Sequence, residues 1–260
     1  MFRALHTAAT GMDAQQTQID VIAHNLANVN TTGFKKSRGE FHDLFSQQLR
    51  GASQGEPGRA GNPLGVEIGQ GVRVGGTHKL FTQGASIQTG GKFDLAIKGD
   101  GFFKLARTEG EAYSRSGNFT ADAEGYLVNA DGLRLEPQIQ VPEGVTDVVV
   151  EANGQVKGKR PNETEWNTLG ELKLYAFNNP AGMKSLGDQL YQPTSASGQP
   201  VEGTPGTGGL GAIAQKELEA SNVQVVEEMI DLIAAQRAYE VNSKVIQATD
   251  QMLQETARLR

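Results

Sequence analysis

Few residues in this chain stand at spacings that could do chemistry. Gly206-Thr-Gly-Gly-Leu-Gly211 has the letters of a dinucleotide-binding fingerprint, in which backbone N–H groups at a helix N-terminus cradle a pyrophosphate. That reading needs a preceding strand and a following βα unit. Pro200 and Pro205 precede this run, and it reads instead as a glycine-rich linker. The four histidines, His6, His24, His42 and His78, lie far apart and in no His-Glu-x-x-His frame, so a packing or surface role outweighs metal ligation. Ser114-Arg-Ser-Gly117 lacks the first glycine of a nucleophile elbow. Asp122 to Asp131 is acidic, but without the spacing or terminal Glu of a calcium loop. Asn118-Phe-Thr and Asn162-Glu-Thr fit the glycosylation pattern with no secretory signal to support it. No acid/base pair, nucleophile–base combination or ligand spacing points to catalysis. The chain is expected to be no enzyme and to carry no cofactor or metal, although scattered carboxylates that converge in space lie beyond a sequence's reach.

The periodic elements are more informative. Residues 1–30 carry an apolar stripe at Phe2, Leu5, Ala9, Met12, Ile19, Ala23 and Leu26, in steps of three and four with Gln16 as the one polar break. Residues 213–260 contain no Gly and no Pro, and a second stripe runs through Val223, Val226, Ile230, Ile233, Val241, Val245, Ala248 and Met252. A heptad-like period at both ends predicts two long helices, about Phe2 to Asn28 and 213–260, that want a partner along their length. Ser221 is expected to cap the main part of the second, with Glu227 and Glu228 near its start and Arg258 and Arg260 near its end, an order that suits the helix dipole. The two stripes define a candidate self-assembly seam. One helical hairpin packed on a β domain within a monomer is the competing reading.

Between the helices the pattern changes. Phe41, Leu44, Phe45 and Leu49 suggest a few more helical turns, and residues 46–70 read as an extended loop or long hairpin broken by Gly51, Pro57, Gly58, Pro63 and Gly65. From Val66 to Tyr191 short alternating runs recur with turn chemistry between them, which predicts an antiparallel β domain. Gly99-Asp-Gly101 and Asn129-Ala-Asp-Gly132 both read as hairpin turns. Residues 192–211 are rich in Pro, Gly and Ser. The fold expected is therefore α+β, with terminal helices paired in a coiled-coil-like layer around an inserted, mainly antiparallel β domain. Three parts are delimited: 1–34 with 213–260 as a helical polymerisation domain, 35–75 with 192–212 as a connecting region, and 76–191 as an outer β domain.

Composition agrees with this plan. Gly makes up 33 of 260 residues, well above the usual ~7%, and multiplies tight turns. A net charge of −6 without a polybasic run argues against nucleic acid and anionic membranes as partners. There is no Cys, which removes thiol chemistry; the absence suits a chain that crosses an oxidising space unfolded, but taken alone it is more ordinary, since many soluble proteins lack Cys. Residues 4–12 lack the apolar run of a cleaved secretory signal, and no run is long enough to span a membrane.

Three blocks then carry a resemblance. Ile22-Ala-His-Asn-Leu-Ala-Asn-Val-Asn-Thr-Thr-Gly-Phe-Lys35 resembles the N-terminal signature of bacterial flagellar basal-body rod and hook proteins, with Asn25, Asn28, Thr31, Gly33 and Phe34 as its characteristic positions. Ser221-Asn-Val223 with Glu227 to Ile233 and Gln236-Arg237-Ala238-Tyr239-Glu240 is similar to that family's C-terminal helix. Leu95 to Phe103, Tyr113 to Phe119 and Asp122 to Gly125 resemble its β domain.

The resemblance implies a structural subunit that is exported unfolded, without signal cleavage, by the flagellar type III apparatus. Such a subunit self-assembles into an open helical tube that transmits torque and forms part of the export channel. Length and the 46–70 insertion imply a subunit of the distal rod, with the longer proximal rod as the alternative; in that family the insertion keeps the shaft straight. The implied neighbours are proximal-rod proteins below, hook protein above, and the P and L rings around. A soluble ligand-binding β module held in a closed oligomer by its helices is the alternative from a different class.

Overall fold

The computed structural model describes residues 2–50, 65–107, 110–161 and 165–258. They form two compact units: Met1–Leu26, Ser37–His78 and Val225–Arg260 make the first, and Ala27–Lys36 and Lys79–Gln224 the second. The class is α+β.

In the first unit, α1 runs Phe2–Ala27 and α2 runs Val225–Arg258. α1 carries Ala, Gln, Leu and Met, which favour a helix, alongside Thr, Val and Ile, which favour it less, so tertiary packing must supply much of its stability. Its one glycine, Gly11, lies against α2: a Cβ there would stand 2.9 Å from Asn242 Nδ2. Asn25 on α1 reaches Glu228 on α2 at 3.1 Å. Asn25 faces Glu228, and a position fourteen residues earlier faces one fourteen residues later, so the helices run antiparallel. Two short antiparallel pairs complete this unit, Ser37–Asp43 with Val72–Lys79 and Gln47–Arg50 with Val66–Ile68.

The second unit is built on antiparallel strands. A seven-stranded sheet has the order 184–187, 190–192, 110–114, 103–107, 134–136, 127–128 and 120–121. A three-stranded sheet holds Asp147–Val150, Gln155–Lys159 and Asn167–Glu171. Strand 103–107 shows the alternation that places it, with Phe103 and Leu105 buried and Lys104 and Ala106 less so. Leu95, Ile97, Phe103, Leu105, Val156, Leu172 and Leu174 lie in the main core. Edge-to-face contacts join Phe102, Tyr113, Tyr175, Phe177 and Tyr191 in a second, aromatic cluster.

Four sequence expectations are corrected. Residues 37–43 and 47–50 form strands rather than helical turns. The spacing of Phe41, Leu44 and Phe45 is helical, but backbone partners at 66–79 supply a ladder instead, the usual ambiguity of short apolar runs. Residues 212–219 are also strands. Ala212–Gln215 pairs with Leu95–Lys98 and Glu217–Glu219 with Ser86–Gln88, with Lys216 at φ 61° between them. Absence of Gly and Pro permits a helix but does not compel one, and Ile213 is buried beside Ile97 in the sheet. Ser221 therefore does not cap α2: its Oγ accepts from the Val223 N–H at 3.3 Å, ahead of the helix. Finally, Gly99-Asp-Gly101 is a corner and not a hairpin, because the strand before it pairs with 212–215 and the strand after it with 110–114 and 134–136. Both glycines have positive φ, which lets the chain leave one sheet and enter another. Asn129 to Gly132 does close a hairpin, with Val128 opposite Arg134.

Candidate functional site

The sequence-predicted seam divides between covered and open positions. On α1, Leu5, Met12, Ile19 and Leu26 are half-buried, and Ala9 and Ala23 are exposed. The residues that α1 buries are others: Ala8, Ala14, Ile22 and Asn25. On α2 the buried positions are Glu228, Ala235 and Thr249, with Asn242 half-buried, at intervals of seven. Val226, Ile230, Ile233, Val241, Val245 and Met252 stand on another face and are exposed, Val226 at 71% and Ile230 at 61%. Val223 is buried, ahead of α2 and in the second unit. α2 thus has two distinct faces, one of small and polar residues towards α1 and one of large aliphatic residues left open. Full cover of such a side chain is worth ~1.5–3 kcal/mol. The open face is the strongest candidate site in the described residues. Phe45, 95% exposed, just before the 46–70 insertion, and Leu49, Val66 and Ile68, on the strand pair within it, add apolar surface. Of the predicted straightness residues, Gly65 is exposed, and Gly51, Pro57, Gly58 and Pro63 lie outside the described residues.

The signature residues are structural joints. Asn25 accepts from the Ser37 N–H at 2.8 Å and donates to Ser37 O at 2.9 Å, clamping the end of α1 to the first strand. Thr31 Oγ1 donates to Asn28 Oδ1 at 3.3 Å in the turn after the helix. Gly33 has φ 71°, and a Cβ there would stand 2.7 Å from Ser116 N. Lys79 Nζ lies 4.9 Å from the centre of the Phe34 ring. Arg237 bonds Glu240 at 3.1 Å on the exposed side of α2, where Gln236 and Tyr239 are also exposed.

Sequence reasoning missed a buried ion triad in the second unit. Lys35 Nζ meets Glu219 Oε1 at 2.6 Å and Thr82 O at 2.7 Å. Arg115 Nε meets Glu219 Oε2 at 2.8 Å, and its two terminal nitrogens donate to Gly101 O and Gly99 O. Glu219 Oε1 also accepts from the Gly84 N–H at 2.9 Å. Burial alone would raise the Glu219 pKa; Arg115 and Lys35 more than offset it, so the carboxyl titrates below its ordinary range. The triad is a structural staple: it fixes the 27–36 segment, the glycine corner and the 217–219 strand to one another. Its only sequence trace was that Lys35 and Arg115 fall inside the resemblance blocks.

The fingerprint-like run at 206–211 opens no helix. It leads into strand 212–215, and Gly211 packs against Gly99. Among the described residues no group of His, Asp and Glu is placed to hold a metal, and no helix is long and apolar enough to cross a membrane.

Comparison with known proteins matches this geometry. Residues 5–35 match the family model for flagella basal body rod proteins. Residues 96–158 match that for the flagellar hook protein FlgE/F/G D1 domain, and residues 214–259 that for the flagellar basal body rod FlgEFG C-terminal region. The flagellar basal-body rod protein FlgG of Agrobacterium fabrum is 47% identical over 254 residues, covering 96% of each chain. That of Caulobacter vibrioides is 43% identical over 260 residues, covering 99% of each. The chain belongs to the FlgG family of flagellar basal-body rod proteins. A hook protein FlgE of Helicobacter mustelae is similar as well, 44% identical over 138 residues, but over only 52% of this chain and 30% of that protein. Full-length likeness to FlgG disfavours the longer proximal-rod reading. The N-terminal rod-protein match covers α1 from residue 5 on and the Asn25, Gly33 and Lys35 joints, and the C-terminal match covers the 217–219 strand and all of α2.

Proposed function

We propose that the chain, a structural subunit of the flagellar distal rod, builds its share of the shaft by docking the open face of α2 onto neighbouring copies. The observation that carries this reading is the stripe from Val226 to Met252, apolar and exposed in a unit whose helices already touch along another face. A helical tube is an open, heterologous assembly in which each subunit needs two complementary surfaces. The half-buried α1 residues Leu5, Met12, Ile19 and Leu26 belong to the same seam. The paired helices form a coiled-coil-like polymerisation layer, and the second unit is the part that meets the P and L rings. Torque passes from motor to hook through this wall, with proximal-rod proteins and hook protein as axial neighbours.

The residues around the 46–70 insertion, Phe45 and Gly65 among them, keep the shaft straight by wedging against adjacent copies. Delivery is through the flagellar type III apparatus, unfolded and without signal cleavage; the lack of Cys supports passage without crosslinking. No catalytic step is assigned. Electron microscopy and sedimentation of the purified chain test the reading. Open tubes of variable length are expected, and a closed oligomer of fixed stoichiometry would favour the soluble β module instead.

A further inference from the structure

We infer that the buried Asn25–Glu228 pair is the register pin of the two helices, selecting one antiparallel alignment of α2 on α1. This rests on the reading of the open α2 face as the assembly surface, because register sets the height at which that face is presented.

The rest of the inner seam specifies alignment poorly. On α2 it repeats at Glu228, Ala235, Asn242 and Thr249, seven residues apart, and α1 buries Ala8, Ala14 and Ile22 besides Asn25 and sets Gly11 against Asn242, so that Ile22 is the one large side chain it buries there. Small side chains at a constant interval pack almost equally well after a slip of seven residues, and such a slip carries α2 about 10 Å along α1. Asn25 and Glu228 break this degeneracy. Both are buried, at 2% and 4% exposure. Asn25 is itself fixed by its two bonds to Ser37, so the remaining amide hydrogen points to one place, where Glu228 Oε2 accepts at 3.1 Å. After a slip in one direction Asn25 faces Ala235 and Glu228 lies past the end of α1. In the other, Asn25 faces Ser221, before α2 begins, and Glu228 faces Gln18. Either way the Asn25–Glu228 bond is lost and the third hydrogen-bonding site of the buried Asn25 amide loses its acceptor. A single polar pair at a heptad position is the best-attested device for choosing register.

The chain has no Cys, so engineered cysteine pairs report alignment without background. In the full-length chain, Gly11→Cys with Asn242→Cys samples the observed register. Gly11→Cys with Ala235→Cys or with Thr249→Cys samples slips of seven. Oxidation of the otherwise unaltered chain should link 11 to 242 within one molecule. Glu228→Leu keeps the Asn25 clamp on Ser37 but removes the acceptor. It should lower the 11–242 yield against the slipped links by about tenfold, the ratio that one lost buried hydrogen bond gives. Glu228→Gln, which keeps an acceptor oxygen, should restore it. Unchanged 11–242 linkage in Glu228→Leu overturns the pin, and so does a parent chain with no intramolecular 11–242 link. Failure of the assembly reading looks different: linkage follows the pin, while disruption of the open face leaves assembly intact.

Discussion

Glu219 is the residue on which the second unit turns. It accepts from Lys35, Arg115 and the Gly84 N–H and is nearly sealed from solvent. Glu219→Gln leaves two buried cations without their carboxylate and should destabilise this unit by ~3–5 kcal/mol, measured by urea unfolding followed by circular dichroism. The same carboxyl sets a pH dependence. Its folded pKa lies below the unfolded value, so its stabilisation is fully present above the ordinary carboxylate range and is lost as pH falls through the folded pKa. The urea midpoint should therefore fall on acidification below that range, and the fall should be shallower in Glu219→Gln. None of this was legible in the sequence. Lys35 and Glu219 lie 184 residues apart, and isolated charges in a chain of this composition read as a solvated surface. Only folding shows that Gly99 and Gly101 turn their carbonyls to Arg115, and that a corner, not a hairpin, is what those glycines make.

At the scale of elements, Gly33 shows how tightly the joint after α1 is drawn. Its φ is 71°, its N–H bonds Glu219 O at 2.8 Å, and a Cβ would enter the backbone at Ser116. Gly33→Ala should cost at least ~1–2 kcal/mol from the left-handed conformation alone, readable as a lowered unfolding midpoint with no loss of helix content. The terminal helices were largely legible. α1 ends one residue short of the expected Asn28, and α2 follows the apolar period from Val225. The apolar period could not say which face of α2 meets α1 and which stays open. The larger residues, Ile230 and Ile233, drew the reading to the outer face, while the inner face is marked by Ala235 and Asn242, whose small or polar side chains carry little hydrophobic signal. Strands 37–43 and 212–219 escaped for a related reason: a ladder is set by a distant partner, and a short run does not name it.

Across the whole molecule, the C-terminal segment serves two units. Residues 212–219 complete the second unit by pairing with 95–98 and 86–88 and by supplying Glu219, whereas α2 belongs to the first. A chain ending at Gln224 should keep the tertiary signal of the second unit in near-ultraviolet circular dichroism, and a chain ending at Gly211 should lose it. If both truncations behave alike, the strands at 212–219 are dispensable and the triad is not a staple. Assembly, by contrast, is assigned to the face of α2 that a lone chain leaves uncovered. The measurement that tests this most directly compares Ile230→Asp with Ala235→Asp in the full-length chain, scoring tube formation by electron microscopy and stability by urea unfolding. Ile230→Asp should abolish tubes while shifting monomer stability by no more than ~0.5 kcal/mol, the range of an exposed substitution; Ala235→Asp should weaken the helix pair itself. Tubes of normal length from Ile230→Asp would contradict the account.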